Sequence, residues 1–436
     1  MATAAEETVD THDRAADSVE VENRIQATDR RHGGRSGAWS AFESRPFLLF
    51  WLSLAISLTG VWVRITAQGW LVYDLTDDRF LLGVVSFCQA APVLIFSPIA
   101  GALIDRVDRR KVLIAVQLTV ATAMFILATL TVTDRVQVWH IMVIAAIAGS
   151  ASAFDWPARM SMVPSLVSRD QLQSAVALNS AAFNASRILG PIVGGILIGL
   201  VGAGVCFYLN AFTYLPFVVV LVGMAVDQTL PRTPKREGSA RAELMDGYRY
   251  IWRTPQIRGL LSIDIIPLAF GITYLTLAPA FAKDILHMGG GGLGVLQAAN
   301  GIGALLGTIA VASLGGIRRR GQIVICGVGL FGFLVMLFGM SRNVYLSVAL
   351  ILCIGLVVAT YGTLNDTLVQ TLVDEGFRGR VLAVYSMFWG LTPIGSLEAG
   401  LIAKNFGIGA ALVLNGFLVI LYVPVLLFRT PVREID

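Results

Sequence analysis

The chain has 436 residues, of which 56% are hydrophobic and 14% are charged, and its mean hydropathy is +0.72. Soluble globular proteins carry about 25% charged residues, so this composition excludes a soluble domain and predicts a protein that crosses the membrane many times. The net charge of +4 does not indicate nucleic-acid binding, because most basic residues fall in predicted loops. The four cysteines lie in apolar runs at unrelated spacings, which is typical of small buried side chains rather than of disulfides or a metal site.

Residues 1–44 are polar and lack the apolar core of a cleavable signal peptide, so we predict a disordered cytoplasmic tail. Twelve apolar segments follow, each about 20 residues long, which is enough for a helix to cross a hydrocarbon core about 30 Å thick. The predicted fold class is therefore an all-α membrane protein with twelve transmembrane helices. The predicted spans lie near residues 47–72, 81–103, 111–132, 138–156, 173–200, 205–226, 258–282, 290–314, 321–340, 344–364, 379–403 and 408–428.

The charges of the loops predict the orientation. With the N-terminus inside, the inner loops hold most of the Lys and Arg residues, including those of the long 227–257 segment and of the cluster at 318–320. Because basic residues are retained on the cytoplasmic side, both termini are predicted to be cytoplasmic. The few basic residues of the outer loops are Arg79, Arg135, Lys283, Arg342 and Lys404.

A long polar segment and an internal repeat indicate two matched halves. Residues 227–257 divide the spans six and six and contain an amphipathic stretch at 242–252, which predicts a linker with a helix on the membrane surface. The sequence at 165–177 aligns with that at 371–383, at corresponding places in the two groups of six spans, as a duplicated six-helix unit would give. The predicted units are an N-terminal half at 45–226, a C-terminal half at 258–428 and a cytoplasmic tail at 429–436.

The loop between the second and third spans reads GALIDRVDRRK at 101–111. Such a concentration of charge cannot lie in lipid, so the loop must be a short water-facing turn, and its excess of basic residues places it on the cytoplasmic side. Asp105 falls at the C-terminal end of a helix, where the helix dipole disfavours an acid, and Arg106, Arg109 and Arg110 are its candidate partners. We predict that this loop is a latch whose preferred partner belongs to another helix.

The pattern G-x-L-x-D-R-x-x-R-R-K, which starts at Gly101, resembles the signature loop of the major facilitator superfamily. This chain has Asp108 where the superfamily usually has Gly. Four further segments resemble the branch of enterobactin exporters and macrolide-efflux proteins. They are QGWLVYDLT at 68–76, FDWPAR at 154–159, ALNSAAFNASRILGP at 177–191 and FRGRVLAVYS at 377–386. The resemblance extends from about residue 45 to residue 428 and implies the two-half major facilitator fold.

The resemblance also implies a function, which is proton-coupled export of a small amphipathic molecule, such as a drug or a siderophore, by alternating access. It implies a monomer in the bacterial cytoplasmic membrane that needs a proton gradient and no cofactor, with substrate, protons and lipid as its partners and no nucleic acid. The latch would hold the outward-facing state by bridging the halves on the inner side. A transporter of lysophospholipid or of a metabolite, importing or uncoupled, stays open as an alternative. A membrane enzyme or sensor is the alternative from another class.

Charged residues inside the spans are the main functional candidates, because each costs about 2.5–3.5 kcal/mol at the membrane centre. Arg64 lies on a polar stripe of the first span, and Arg187 lies near the middle of the fifth. Arg64 either lines a cavity and meets the substrate or a carboxylate, or it snorkels outward or joins two helices. Arg187 either acts in gating or coupling or forms a structural ion pair. Asp264 and Glu398 are the candidate proton carriers, because a carboxyl group in a low-dielectric cavity can load and release a proton near neutral pH. Alternatively, both acids are permanently ionised partners of the two arginines.

Asp155 and Arg159, at the inner end of the fourth span, are predicted to belong to the cytoplasmic latch, with solvation of the helix end as the alternative. Uncharged polar residues within the spans are candidates for the substrate cavity, with hydrogen bonding between helices as the alternative. They are Gln68, Gln89, Asn184, Tyr274, Gln297, Asn300 and Trp389.

Small residues predict close packing of the fifth span against the eighth, through GPIVG and GILIG at 190–199 and GALLG at 303–307. Other chemistry is absent from the sequence. None of the four lysines precedes Ser or Thr, so the chain has no Walker A loop for ATP. With only four histidines and no HExxH motif, no metal site is predicted.

Overall fold

The computed structural model describes residues 39–104, 107–168, 170–224, 240–313, 319–374 and 376–435, and within these ranges the chain is helical and contains no strand. The helices before the linker are α1 (Arg45–Thr76), α2 (Arg79–Ile104), α3 (Arg109–Val132), α4 (Val138–Met162), α5 (Leu172–Val201) and α6 (Ala203–Gly223). The later helices are α7 (Ala240–Arg253), α8 (Pro255–Ile263), α9 (Thr273–Ala280), α10 (Gly290–Ser313), α11 (Arg320–Met340), α12 (Val344–Leu372), α13 (Arg378–Ser386), α14 (Thr392–Phe406) and α15 (Ile408–Arg429).

Capping residues explain where two of the helices begin. The side chain of Ser44 accepts a hydrogen bond from the amide of Phe47 at the start of α1. Asp108 caps α3 in the same way, accepting from the amides of Arg110 at 3.0 Å and Lys111 at 3.4 Å. The residue at which this chain departs from the superfamily pattern therefore fixes the start of the third membrane helix.

The seventh span, Pro255–Ile285, is an interrupted helix. It consists of α8, a π-helical turn at Pro267–Gly271, α9 and a second π-helical turn at Phe281–Ile285. The prolines at 267 and 279 have no amide hydrogen, so the regular ladder of i→i−4 hydrogen bonds cannot continue through them. Such π-turns are frequent at functional sites.

Eleven segments of the described chain are long and apolar enough to cross a membrane. The predicted span at 379–403 is not among them because it is divided, with a 3-10 turn at Met387–Leu391 separating α13 from α14. With this divided span included, the helices fit the predicted twelve. The predicted fold class, an all-α membrane protein, is confirmed.

The described chain is ordered further towards both ends than predicted. Ser40–Glu43 form a 3-10 turn in which Ala41 is fully buried, and its amide donates to Oγ of Ser174 at 3.3 Å. Pro431–Glu434 form another, in which Val432 is fully buried. The predicted tails at 1–44 and 429–436 therefore include residues that pack onto the helices, whereas residues 1–38 and 436 lie outside the described residues.

Much of the predicted linker, at 225–239, also lies outside the described residues. The amphipathic stretch that follows forms α7, which packs on the C-terminal half. The rings of Tyr250 and Phe377 stack at 4.5 Å, and Asp246 lies 3.7 Å from Arg380. The exact limits of the two halves stay a prediction.

The halves are closest where α5 meets α10 and where α2 meets α14. A Cβ atom at Gly195 of α5 would lie 2.7 Å from the Cα atom of Gly294 in α10. The fifth and eighth spans therefore pack closely, as predicted. The prediction that the GALLG segment takes part in this contact is wrong. Gly303 and Gly307 instead face α12 of their own half, where an added Cβ atom would lie 1.9 and 2.3 Å from backbone carbonyl oxygens.

Candidate functional site

A cavity of about 760 Å³ lies between the two halves, at the end of the bundle predicted to be cytoplasmic. Its walls come from α1, α4 and α5 on one side and from the seventh span, α10, α12 and α13 on the other. Many lining residues are apolar, which suits an amphipathic or lipophilic molecule. The polar side chains in the lining are Arg159, Asn179, Ser180, Asn184, Arg187, Asp264, Thr308, Tyr361, Thr363, Asp366 and Tyr385.

Two carboxylates stand on the C-terminal side of this central cavity. Asp264 is 7% exposed, and its Oδ2 accepts hydrogen bonds from Nδ2 of Asn365 at 2.9 Å and from the hydroxyl of Tyr385. Tyr385 also interacts with Asp366, so its hydroxyl links the two acids. Among the described residues neither acid forms an ion pair with a basic side chain, so each can change its charge without breaking one.

Arg187 stands on the opposite side of the cavity, on α5. Its Nη2 donates to Oδ1 of Asn300 in the other half at 3.1 Å, and its guanidinium lies 6.0 Å from the centre of the Trp62 ring. Asn300 in turn donates from Nδ2 to the hydroxyl of Tyr274 at 2.8 Å. Arg187 therefore links the halves through neutral groups.

Arg64 is enclosed within the N-terminal half and does not line the central cavity. It is 3% exposed, and its Nη1 donates to Oε1 of Gln68 at 2.9 Å. The alternative of ion pairs between the two arginines and the two predicted proton carriers is wrong for this conformation. Glu398 instead accepts a hydrogen bond from Nδ2 of Asn415 at 3.2 Å.

Asp155 and Arg159 pair with each other on α4, one turn apart. Nε of Arg159 lies 2.6 Å from Oδ2 of Asp155, and the guanidinium lies 4.5 Å from the centre of the Phe217 ring. Asp155 also accepts from Nε2 of Gln117 at 2.6 Å. These contacts lie within the N-terminal half, so the pair does not bridge the halves in this conformation, and its part in a latch stays a prediction.

The loop at 101–111 is described only in part. Gly101 belongs to α2. Arg109 donates from Nη1 to the carbonyl oxygen of Ser161 at 3.1 Å, and Arg110 donates to that of Val222. Both carbonyls lie in the last turns of helices, where positive charge complements the helix dipole. These two arginines therefore hold α4 and α6 of their own half. Two predicted members of the latch lie outside the described residues, Asp105 and Arg106.

The uncharged candidates are spread over several places. Gln68, Gln89 and Gln297 line a smaller cavity of about 250 Å³, which lies towards the outer side of Ile272. Ile272 also lines the central cavity, so it stands between the two. Asn184 lines the central cavity, Tyr274 and Asn300 are buried in the C-terminal half, and the side chain of Trp389 lies outside the described part of the chain.

Ion pairs between the halves close the outer end of the bundle, and the sequence analysis did not predict them. Nη2 of Arg79 lies 2.7 Å from Oδ2 of Asp284, and Nζ of Lys404 lies 2.6 Å from Oδ2 of Asp78. Lys283 contacts two further acids of the first half at 2.9 and 3.2 Å. We call this group the outer lock. Its members are Asp74, Asp77, Asp78 and Arg79 of the N-terminal half and Lys283, Asp284 and Lys404 of the C-terminal half.

A signal for the outer lock is present in the sequence. The first outer loop carries an excess of acid in DLTDDR at 74–79, whereas lysines stand in outer positions of the other half. The rule for orientation depends on basic residues alone, so it does not indicate which acids these lysines contact. The partners Arg79 and Asp284 are 205 residues apart in the chain, so no local pattern joins them.

Comparison with known proteins agrees with this architecture. The family model described as transmembrane secretion effector matches residues 36–436. The chain belongs to this family. Its membership of the major facilitator superfamily, in the efflux branch, is thereby confirmed. A transmembrane secretion effector of this kind is a multi-pass membrane transporter and not an enzyme.

Two relatives and one solved structure illustrate the likeness of this secretion effector to known transporters. The staphyloferrin A transporter of Staphylococcus aureus is 26% identical over 372 residues, which cover 84% of this chain and 90% of that protein. The multidrug efflux pump Tap of Mycolicibacterium fortuitum is 25% identical over 399 residues, which cover 90% and 97%. A POT family transporter, solved in complex with 5-aminolevulinic acid, has a TM-score of 0.71 at 12% identity, covering 89% of this chain and 97% of that one, and shares the fold.

Proposed function

We propose that this protein exports a small amphipathic molecule of the drug or siderophore type by proton-coupled alternating access. It would act as a monomer in the bacterial cytoplasmic membrane, with both termini inside. The position of the central cavity supports loading from the cytoplasm, because it lies at the end of the bundle that bears the basic loops. The outer lock supports a closed exit in the same conformation.

The observation that carries this proposal is the environment of Asp264. Its side chain lines the cavity, is 7% exposed, and within the described chain accepts hydrogen bonds from the neutral groups of Asn365 and Tyr385. A buried carboxylate without a basic partner is costly while it is ionised. Binding a proton removes that cost, so we assign the coupling proton to Asp264.

Glu398, the other predicted proton carrier, has weaker support. It is half-buried on α14, and its hydrogen bond with Asn415 lies within the C-terminal half. Since it is not part of the central cavity lining, a substrate there would not contact it.

In the proposed cycle the outer lock opens while the inner side closes. The loop at 101–111 is the candidate for inner closure, in which Arg109 and Arg110 would leave the helix ends for the other half and Asp105 would be the acid of the latch. A proton that reaches Asp264 from outside would then favour the return to the inward-facing state. Protons are thus bound from the outside once the substrate has left, and they are released to the inside when the next substrate binds.

The test uses the purified protein in sealed proteoliposomes, offered a panel of lipophilic cations and a siderophore, with and without an imposed pH gradient. We expect gradient-driven movement of at least one compound and its loss in Asp264→Asn, because the amide has the same shape and cannot carry the proton. Asp134→Asn, which makes the same change in an exposed outer loop, is the matched control and should transport normally. Transport that ignores the gradient or persists in Asp264→Asn would reject the proton assignment and leave facilitated or lipid transport as the leading function.

A further inference from the structure

The two walls of the central cavity carry opposite charges. Arg187 lies on the wall formed by the N-terminal half, and Asp264 and Asp366 lie on the wall formed by the C-terminal half. The hydrogen bond from Arg187 to Asn300, at 3.1 Å, leaves its positive charge in place because the partner is neutral. The hydrogen bonds of Tyr385 with the two acids likewise leave their charges uncompensated.

The remaining charges near the cavity do not alter this arrangement. Arg159 also lines the cavity, but Asp155 lies 2.6 Å from its Nε, so the pair cancels. The rest of the lining is largely apolar, and it includes Leu54, Leu268 and Val358. A charge in such surroundings is felt more strongly than in water, because the local dielectric is low. The cavity therefore offers an apolar space between one positive and one negative wall.

Asn179 gives an independent sign that this space takes a polar ligand. It is 8% exposed, lines the cavity, and neither its amide nitrogen nor its amide oxygen has a hydrogen-bond partner among the described residues. It lies eight residues before Arg187 on α5, about two turns away, and both residues line the cavity. A buried amide without partners is costly, and a polar group beside the ligand of Arg187 would satisfy it.

We propose that the central cavity selects an amphiphile that carries both an anionic and a cationic group, with the anion at Arg187 and the cation at Asp366. Asp264, the more buried acid, then binds the coupling proton and not the cationic group of the ligand. A purely cationic molecule would have to approach Arg187, and a purely anionic one would have to approach the two acids, so each meets an unfavourable wall. This inference deepens the proposed function and rests on it, since it takes the central cavity as the substrate site.

The test compares three fluorescent probes that share a dansyl body and a similar alkyl chain. They are dansylcadaverine as the cation, dansyl-aminohexanoate as the anion and Nε-dansyl-lysine as the zwitterion. Binding to the purified full chain in lipid nanodiscs is followed by dansyl fluorescence. We expect the zwitterion to bind about tenfold more tightly than either singly charged probe. Equal binding of the three, tightest binding of a singly charged probe, or no saturable binding would overturn the proposal.

Variants then show which wall holds which group. Arg187→Gln should reduce zwitterion binding to the level of the cation, whereas Arg187→Lys, which keeps the charge, should preserve the preference. Asp366→Asn should reduce zwitterion binding to the level of the anion. Arg135→Gln and Asp134→Asn, which make the same charge changes in an exposed outer loop, are the matched controls and should bind all three probes as the native protein does.

The two proposals can fail separately. If the zwitterion is preferred and Arg187→Gln abolishes the preference, but transport ignores a pH gradient, the charge assignment stands and the proton mechanism falls. If a pH gradient drives transport of some compound while Arg187→Gln and Asp366→Asn leave the binding of all three probes unchanged, the proton mechanism stands and the charge assignment falls.

Discussion

Arg79 and Asp284 join the two halves of the transporter at its outer end. Nη2 and Nε of the arginine lie 2.7 and 3.1 Å from the same carboxylate oxygen, which also accepts a hydrogen bond from the hydroxyl of Tyr73. In the proposed export cycle the substrate leaves to the outside only when this contact breaks. The outer lock therefore stabilises the state in which the outer end is closed, and it sets part of the barrier to opening.

Weakening this contact should favour the outward-open state. Arg79→Gln removes an ion pair whose side chains are about a quarter exposed. We expect the closed state to lose about 1 kcal/mol of stability, which corresponds to roughly a fivefold rise in the ratio of open to closed molecules. The measurement is the distance between spin labels at positions 135 and 342, both exposed in outer loops of opposite halves, after serine replaces the four native cysteines. The exchange Arg79→Asp with Asp284→Arg should restore closure, and a distance distribution unchanged in Arg79→Gln would contradict the lock.

The response of the outer lock to pH follows from Asp78, which lies between the first two spans. Partial burial acts to raise the pKa of Asp78, but hydrogen bonds from Lys404 and from the amide of Phe80 outweigh it and lower the pKa below the ordinary value. Because Lys404 is its partner only while the lock is closed, this stabilisation is complete above the ordinary pKa of about 3.9 and is lost as the pH falls through the lowered pKa.

The distance between the outer spin labels should therefore stay short at roughly pH 5 and lengthen only below about pH 4. The measurement is made in Asp264→Asn, so that the proposed coupling carboxyl does not contribute. Lys404→Gln should make this step smaller, because Asp78 then has nearly the same pKa in both states. Opening that already begins between roughly pH 7 and pH 5 would show that a different group controls the lock.

The contact between α5 and α10 can be tested with a single methyl group. A Cβ at Gly195 would lie 2.7 Å from Gly294, whereas a Cβ at Gly199, one turn later on α5, meets nothing within 4 Å. Gly195→Ala should therefore force the halves apart in the closed state, at a cost of about 1–3 kcal/mol, and should lengthen the outer distance. Gly199→Ala is the control, and equal behaviour of the two variants would show that the helices yield at this contact.

The cap at Asp108 predicts a graded loss of stability. Replacing a capping acid by alanine costs about 1 kcal/mol, replacement by glycine costs only a few tenths, and serine is nearly as good a cap. Thermal unfolding of purified Asp108→Ala, Asp108→Gly and Asp108→Ser should therefore rank alanine as the least stable and serine as the closest to the native protein. Alanine and serine variants of equal stability would contradict a capping role.

Properties that depend on short stretches of sequence could be predicted. The spans follow from apolar length, and the position of Asp264 within a span follows from the apolar sequence around it. The orientation from loop charge stays a prediction. The loop at 101–111 is recognisable because its charges are consecutive, whereas its role as a latch stays a prediction. The divided span that contains Met387–Leu391 was recognisable as one apolar run, although its interruption was not.

Properties that depend on depth and on pairing between helices could not be predicted. Gln68 and Asn184 both stand on polar faces of apolar helices, yet they line different cavities because they lie at different depths in the bundle. The choice between Arg187 and Tyr385 as the partner of Asp264 likewise depends on which helices meet at the inner end. Neither the depth of a residue in the bundle nor the pairing of its helix can be read from a single sequence.

The seventh span connects the proposed proton site to the outer lock. Asp264 and Asp284 belong to the same interrupted helix and are separated by about 30 Å at 1.5 Å per residue. Two unit charges about 30 Å apart interact by only roughly 0.5 kcal/mol at an effective dielectric constant of about 20, so a proton at one end is only weakly felt as a charge at the other. A coupling between the two would therefore have to be mechanical, through the seventh span, in which two π-helical turns interrupt the regular hydrogen bonds of the helix.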